Sequence, residues 1–66
     1  MYFNIEIEQE EDKRWIAEVT DIPGVLVYGN TREDAIAKVK ALALRVLADR
    51  IEHGESIQEP IAFTAA

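Results

Sequence analysis

The chain reads as a small α+β domain of order β-β-β-α-β: a three-stranded antiparallel sheet, a short fourth strand, and one long helix covering one face. Three observations predict it. Apolar and polar residues alternate in two stretches within the first twenty positions, a Pro-Gly turn precedes a short β-rich run, and at Thr31 the period changes from two to that of a helix. A helix joining two strands of one sheet requires those strands to be parallel, with a right-handed crossover. One helix laid on one sheet is a two-layer α+β architecture.

The first strand is the clearest element. Phe3, Ile5 and Ile7 alternate with Asn4, Glu6, Glu8 and Glu10, giving one buried and one wet face. Glu10-Glu11-Asp12-Lys13 is a polar hairpin loop, expected to use a type I turn because it holds no glycine. A second strand spans Arg14–Thr20, with Trp15, Ala17 and Val19 on one side and Ile16, Glu18 and Thr20 on the other. Asp21-Ile22-Pro23-Gly24 then breaks the chain. Pro at the second and Gly at the third turn position fit a type II turn, where Gly takes φ > 0. Val25–Tyr28 is a third short strand, closed by Gly29-Asn30.

Thr31 is a good N-cap, Glu33 and Asp34 place negative charge on the first turn, and Asp34 can pair with Thr31 in a capping-box-like arrangement. Ile36, Val39, Ala43, Val46 and Leu47 form the core stripe, widened by Leu42 and Ile51, with Lys38, Arg45, Asp49 and Glu52 opposite. Ala37, Ala41, Leu44 and Ala48 lie off the stripe, so the helix is apolar over more than half its girth. His53-Gly54 ends it, with Gly at C′, after about 22 residues or ~33 Å. Ile57 and Ile61-Ala62-Phe63 offer a last short strand, which Pro60 confines to an edge or a strand start. One helix covers only one sheet face. The open face should carry Ile16, Leu26 and Tyr28 or, in the reversed register, Trp15, Val25 and Val27, and it is a place for a partner.

At 66 residues the chain holds one domain, residues 1–66. A core of that size leaves roughly 3–5 kcal/mol of net stability, because short chains bury a small share of their surface. With no cysteine and one histidine, disulfides and histidine-rich metal sites are not available as supports. Self-association, as a homodimer or higher homo-oligomer, is the expected remedy. The net charge of -6, thirteen Asp and Glu against seven Lys and Arg, disfavours direct contact with nucleic acid or anionic membranes and favours basic partners. The amino terminus lacks the pattern of a signal peptide and no apolar run approaches the ~18 residues of a membrane span, so the expected location is cytoplasmic.

No enzyme chemistry is expected, and neither a cofactor nor a metal. Glu6, Glu8 and Glu10 share a strand face and could bind a divalent ion for phosphodiester cleavage, but nothing in the chain completes such a site, and glutamate at every second position reads better as a solvated strand face. His53 sits at a helix C-terminus, where its interaction with the dipole explains it, and no catalytic partner is in view. Gly24 and Gly29 belong to no phosphate-binding string and read as turn glycines. Trp15 and Tyr28 read first as core, yet a sheet with one helix has surplus apolar surface, and both residue types are enriched at interface centres.

Two blocks carry a family likeness. Asp21-Ile22-Pro23-Gly24-Val25, followed by Tyr28-Gly29-Asn30-Thr31-Arg32-Glu33-Asp34-Ala35, resembles the D-L-P-G…x-G-x-T-x-E-E-A signature of HicB-like antitoxins. The likeness covers nearly the whole chain, with both blocks in order before a long Ala-rich helix. It implies a partial ribonuclease-H-like fold, self-association, and binding that occludes a HicA-type toxin, a small basic protein that cleaves messenger RNA. The signature positions carried over are Asp21, Pro23, Gly24, Gly29, Thr31 and Ala35, and the residues expected to meet a partner are Glu6, Glu8, Glu10, Trp15 and Tyr28. Two departures stand out. Many family members carry a carboxy-terminal DNA-binding segment that this sequence lacks, so no separate DNA-binding domain and no operator binding by this chain alone are expected. Lys13 also stands where glycine is frequent in the hairpin, implying a slightly different turn. The alternative reading is a stand-alone homo-oligomeric domain of this fold with some other protein-interaction role.

Overall fold

The computed structural model describes residues 1–65. Its elements are β1 (Tyr2–Gln9), β2 (Trp15–Val19), β3 (Leu26–Gly29), α1 (Arg32–Glu52) and β4 (Ala62–Ala65), the expected α+β order. The sheet runs β3-β2-β1-β4. β1 with β2 and β2 with β3 are antiparallel, while β4 lies parallel to β1. β3 and β4, the strands joined through the helix, therefore run the same way at opposite edges.

The first hairpin shows what Lys13 does in place of glycine. Its N–H donates to the Glu10 carbonyl at 2.9 Å, and the Glu10 N–H donates to the Arg14 carbonyl at 2.7 Å. Lys13 has φ 71, the left-handed residue that closes a three-residue hairpin loop. That conformation is unfavourable for a side chain. It is held by Asp12, which accepts from the Arg14 backbone N–H at 3.1 Å and from its Nε at 2.7 Å. These Arg14 contacts, the backbone one foremost, hold the Asp12 carboxyl below its ordinary range.

The second turn forms as the sequence predicts. The Val25 N–H donates to the Ile22 carbonyl at 3.2 Å across Pro23-Gly24, and Gly24 has φ 85. The turn does more than reverse the chain. Ile22 and Val25 are 1% exposed, so both flanks of the turn are core. Val25 falls just outside β3, yet its carbonyl accepts from the Val19 N–H at 3.0 Å and extends the ladder.

The helix is capped at both ends by its own sequence. Thr31 accepts from the Asp34 N–H at 3.0 Å. The Asp34 carboxylate reaches past the cap to the Asn30 N–H at 3.1 Å, one residue beyond the Thr31 expected for a capping box. At the other end the Gly54 N–H donates to Ile51 and the Glu55 N–H to Arg50, both at 3.0 Å, with Gly54 at φ 89. That is the Schellman pattern.

The core lies between helix and sheet. Phe3, Ile5, Ala17 and Val19 meet Ala35, Val39, Ala43 and Leu47, and Ile22 and Val25 close one end. Ile51, expected to widen the helical stripe, is instead 50% exposed. At 3.6 residues per turn it lies about 120° round from Val39, too far to reach the sheet. At the β4 edge, the Ala62 N–H donates to the Met1 carbonyl at 3.0 Å and the Met1 ammonium donates to the Gln58 and Pro60 carbonyls. The Phe63 ring packs on Phe3, centroids 5.6 Å apart. Pro60 stands before this edge strand, and Ile57 lies outside it, packing on the core as a half-buried residue.

Candidate functional site

The sheet face turned away from α1 has no covering layer among the described residues, and the strand registers decide what it displays. Phe3 and Ile5 of β1 and Ala17 and Val19 of β2 are buried beneath the helix, so the alternate positions face outward. Of the two registers the sequence allows, the one with Ile16, Leu26 and Tyr28 on the open face is realised; Leu26 and Tyr28 are 41% and 42% exposed.

Pairing assembles two rows across this face. Glu6 stands opposite Glu18, which stands opposite Leu26; Glu8 stands opposite Ile16, which stands opposite Tyr28. Glu6, Ile7, Glu8, Ile16 and Glu18 line a depression of about 370 Å³. None of its three carboxylates is in an ion pair among the described residues. Like charges directly opposed on neighbouring strands are destabilising, so the Glu6–Glu18 pair lowers the stability of the isolated domain. The arrangement is chemically suited to a cationic surface. At one corner Arg14 lies over the Tyr28 ring, 4.5 Å from its centroid, so the aromatic is braced by a neighbour and available on its other side.

Glu6, Glu8 and Tyr28 thus share the open face. Glu10 lies past the end of β1, half-buried, with its backbone engaged in the hairpin. Trp15 is on the opposite face, half-buried against the core, because it shares the parity of Ala17 and Val19. The face also includes Glu18. Its alternation with Ile16 was visible in the sequence, but its position opposite Glu6 depends on register.

The signature residues turn out to have structural tasks. The Asp21 carboxylate accepts from the Asn4 N–H at 3.3 Å where β2 turns away from β1. Pro23 and Gly24 make the turn, and Thr31 caps the helix. Gly29, expected to be a turn glycine, has no positive φ. A Cβ there would lie 2.5 Å from the Ala35 N and 2.8 Å from its Cα, so Gly29 is required by the close approach of β3 to the first helical turn. Ala35, fully buried, is the other half of that contact. Asp34 also pairs with Lys38 at 3.1 Å; Lys38 first and the Asn30 N–H second hold its carboxyl below the ordinary value. The His53 Nδ1 lies 2.7 Å from the Asp49 carbonyl, which ties it to the helix end.

Comparison with protein-family models, curated proteins and solved structures returns no match. Among the described residues, no group of three or more His, Cys, Asp or Glu side chains is placed to hold a metal ion, and no helix is long and apolar enough to cross a membrane.

Proposed function

We propose that the chain is a HicB-like antitoxin that binds and occludes a small basic HicA-type RNA-cleaving toxin in the cytoplasm, as a stoichiometric inhibitor with no catalysis of its own. The two signature blocks supply the toxin's identity. The single observation supporting a binding surface is the open sheet face, where Glu6, Glu8 and Glu18, in no ion pair among the described residues, surround Ile16 beside Leu26 and Tyr28. An RNA-cleaving protein must present cations to phosphates. Carboxylates held rigidly on a sheet compete for those cations, raise the association rate, and leave the adjacent apolar strip to slow dissociation.

The reading requires a small basic protein to be encoded beside this one, and the test uses that product. Stopped-flow association should slow as salt rises, and the triple change Glu6→Gln, Glu8→Gln and Glu18→Gln should lower the low-salt on-rate by about tenfold or more. Salt-independent association, or no binding by the neighbouring product, sinks the reading. The second reading, a stand-alone homo-oligomeric interaction domain, is favoured by the exposure of Leu44 and Ile51 on the outer face of α1.

A further inference from the structure

We infer that the free edge of β3 accepts an extended segment of the cationic partner, which joins the four-stranded sheet as an added antiparallel strand with a lysine or arginine beside Leu26. The partner's charge rests on the reading above; the place and register of docking come from the strand edge itself. The Val19 N–H donates to the carbonyl of Val25 directly opposite, so bonded pairs recur at Ala17 with Val27 and at Trp15 with Gly29. The N–H and C=O groups of Leu26 and Tyr28 therefore point away from β2. β3 is the last strand on its side of the sheet, and among the described residues no hydrogen bond from another segment meets these groups. Sheet edges are commonly blocked by a charged side chain, a proline or a bulge. Leu26-Val27-Tyr28-Gly29 has none of the three.

Charge selects the occupant and its register. Across the open face Leu26 ends the row of Glu6 and Glu18, and Tyr28 ends the row of Glu8 and Ile16. A residue paired with Leu26 lies two strands from Glu18, about 10 Å, a span that a long cationic side chain crosses over Leu26. The position beside Tyr28 already has its cation, because Arg14 lies over that ring and is anchored by Asp12. An apolar side chain suits that position. In an antiparallel strand the residue paired with Tyr28 precedes the one paired with Leu26, so the fitting segment reads apolar, polar, cation. A second copy of β3 brings no cation to the row of Glu6 and Glu18. The opposite edge is a poorer site: Ala62 and Thr64 of β4 stand beside Tyr2 and Asn4, with no carboxylate in either pair.

The probe is a capped peptide with valine, threonine and lysine in order at its centre and threonines on either side, titrated into the purified chain and followed by backbone amide NMR shifts. The expected result is a dissociation constant on the order of 1 mM, with the largest shifts at Leu26 and Tyr28. N-methylation of the peptide's valine or lysine, whose N–H groups meet β3, weakens binding by about tenfold or more; N-methylation of the central threonine, whose N–H points outward, changes it by less than about twofold. Glu18→Gln weakens binding about threefold and has no effect on a peptide carrying norleucine in place of lysine, as a direct pair requires. Equal losses from all three N-methylations, shifts centred elsewhere, or no binding up to about 10 mM overturn the inference. So does protection of the Leu26 and Tyr28 amides in the free chain that grows with its concentration, which puts a second copy on the edge. If the neighbouring gene product binds without protecting these two amides, the antitoxin reading stands and the edge inference falls. If that product does not bind, the antitoxin reading falls and the peptide alone decides the edge.

Discussion

The two layers of this domain differ more in charge than in hydrophobicity. Both the sheet and the helix bury one side in a shared core and leave apolar residues on the other. Yet the helix, with five Lys and Arg against four Asp and Glu, carries a net charge of +1, and the rest of the chain, with two against nine, carries -7. Within the helix, charges of both signs are interleaved, and pairs such as Lys38 with Asp34 are satisfied locally. On the sheet, cross-strand pairing places Glu6 against Glu18, and neither is in an ion pair among the described residues. Uncovered faces of similar apolar content can therefore have different partners, because electrostatic complementarity discriminates between surfaces that the hydrophobic effect treats alike.

The comparison fails most completely if the two layers are pushed apart. Gly29→Val forces a Cβ into the Ala35 backbone and should cost about 3 kcal/mol, most of the stability expected of so short a chain. Urea unfolding followed by circular dichroism measures it, and a loss under about 1 kcal/mol would show the contact to be loose. A smaller effect isolates the helix layer. Thr31→Ala removes the acceptor for the Asp34 N–H and should cost about 1 kcal/mol, with faster amide exchange confined to the first turn. The Asp34 carboxyl acts at the same place. Its folded value lies below the ordinary 3.8, so its contribution is complete above the unfolded value and is lost as pH falls through the lower folded one. The protection of the Asn30 amide relative to its intrinsic exchange rate should fall only in that acid window. The smallest effect isolates the sheet layer, and its sign is opposite. Glu18→Thr removes a like-charge pair from the open face of β2 and should stabilise by about 0.3 kcal/mol, visible as a higher urea midpoint with unchanged slope. A loss would mean that Glu18 makes a favourable contact.

Local elements were legible because their causes are local. The alternation of Phe3, Ile5 and Ile7, the Pro23-Gly24 turn, the Thr31 cap and the Gly54 stop each involve neighbours within a few positions, and all four stand where the sequence places them. The candidate surface was legible only in part. Glu6 and Glu8 were identifiable from alternation, and Tyr28 from the surplus apolar area of a one-helix sheet. Trp15 was placed with them on residue type alone, and strand parity separates them. Glu18 was missed as their companion because a period of two defines two faces of one strand without saying which residue on the next strand lies opposite.

By itself the sequence determined the order of the elements, their caps and turns, and the acidity of the chain. The tertiary structure decided which sheet face stays open, that Glu18 joins Glu6 and Glu8, that Ile22 and Val25 are core although they flank a turn, and that Gly29 is fixed by contact with Ala35. The reason is range. Periodicity and capping are set by residues within one or two turns of each other, whereas strand register and helix docking are set by close packing between segments distant in sequence.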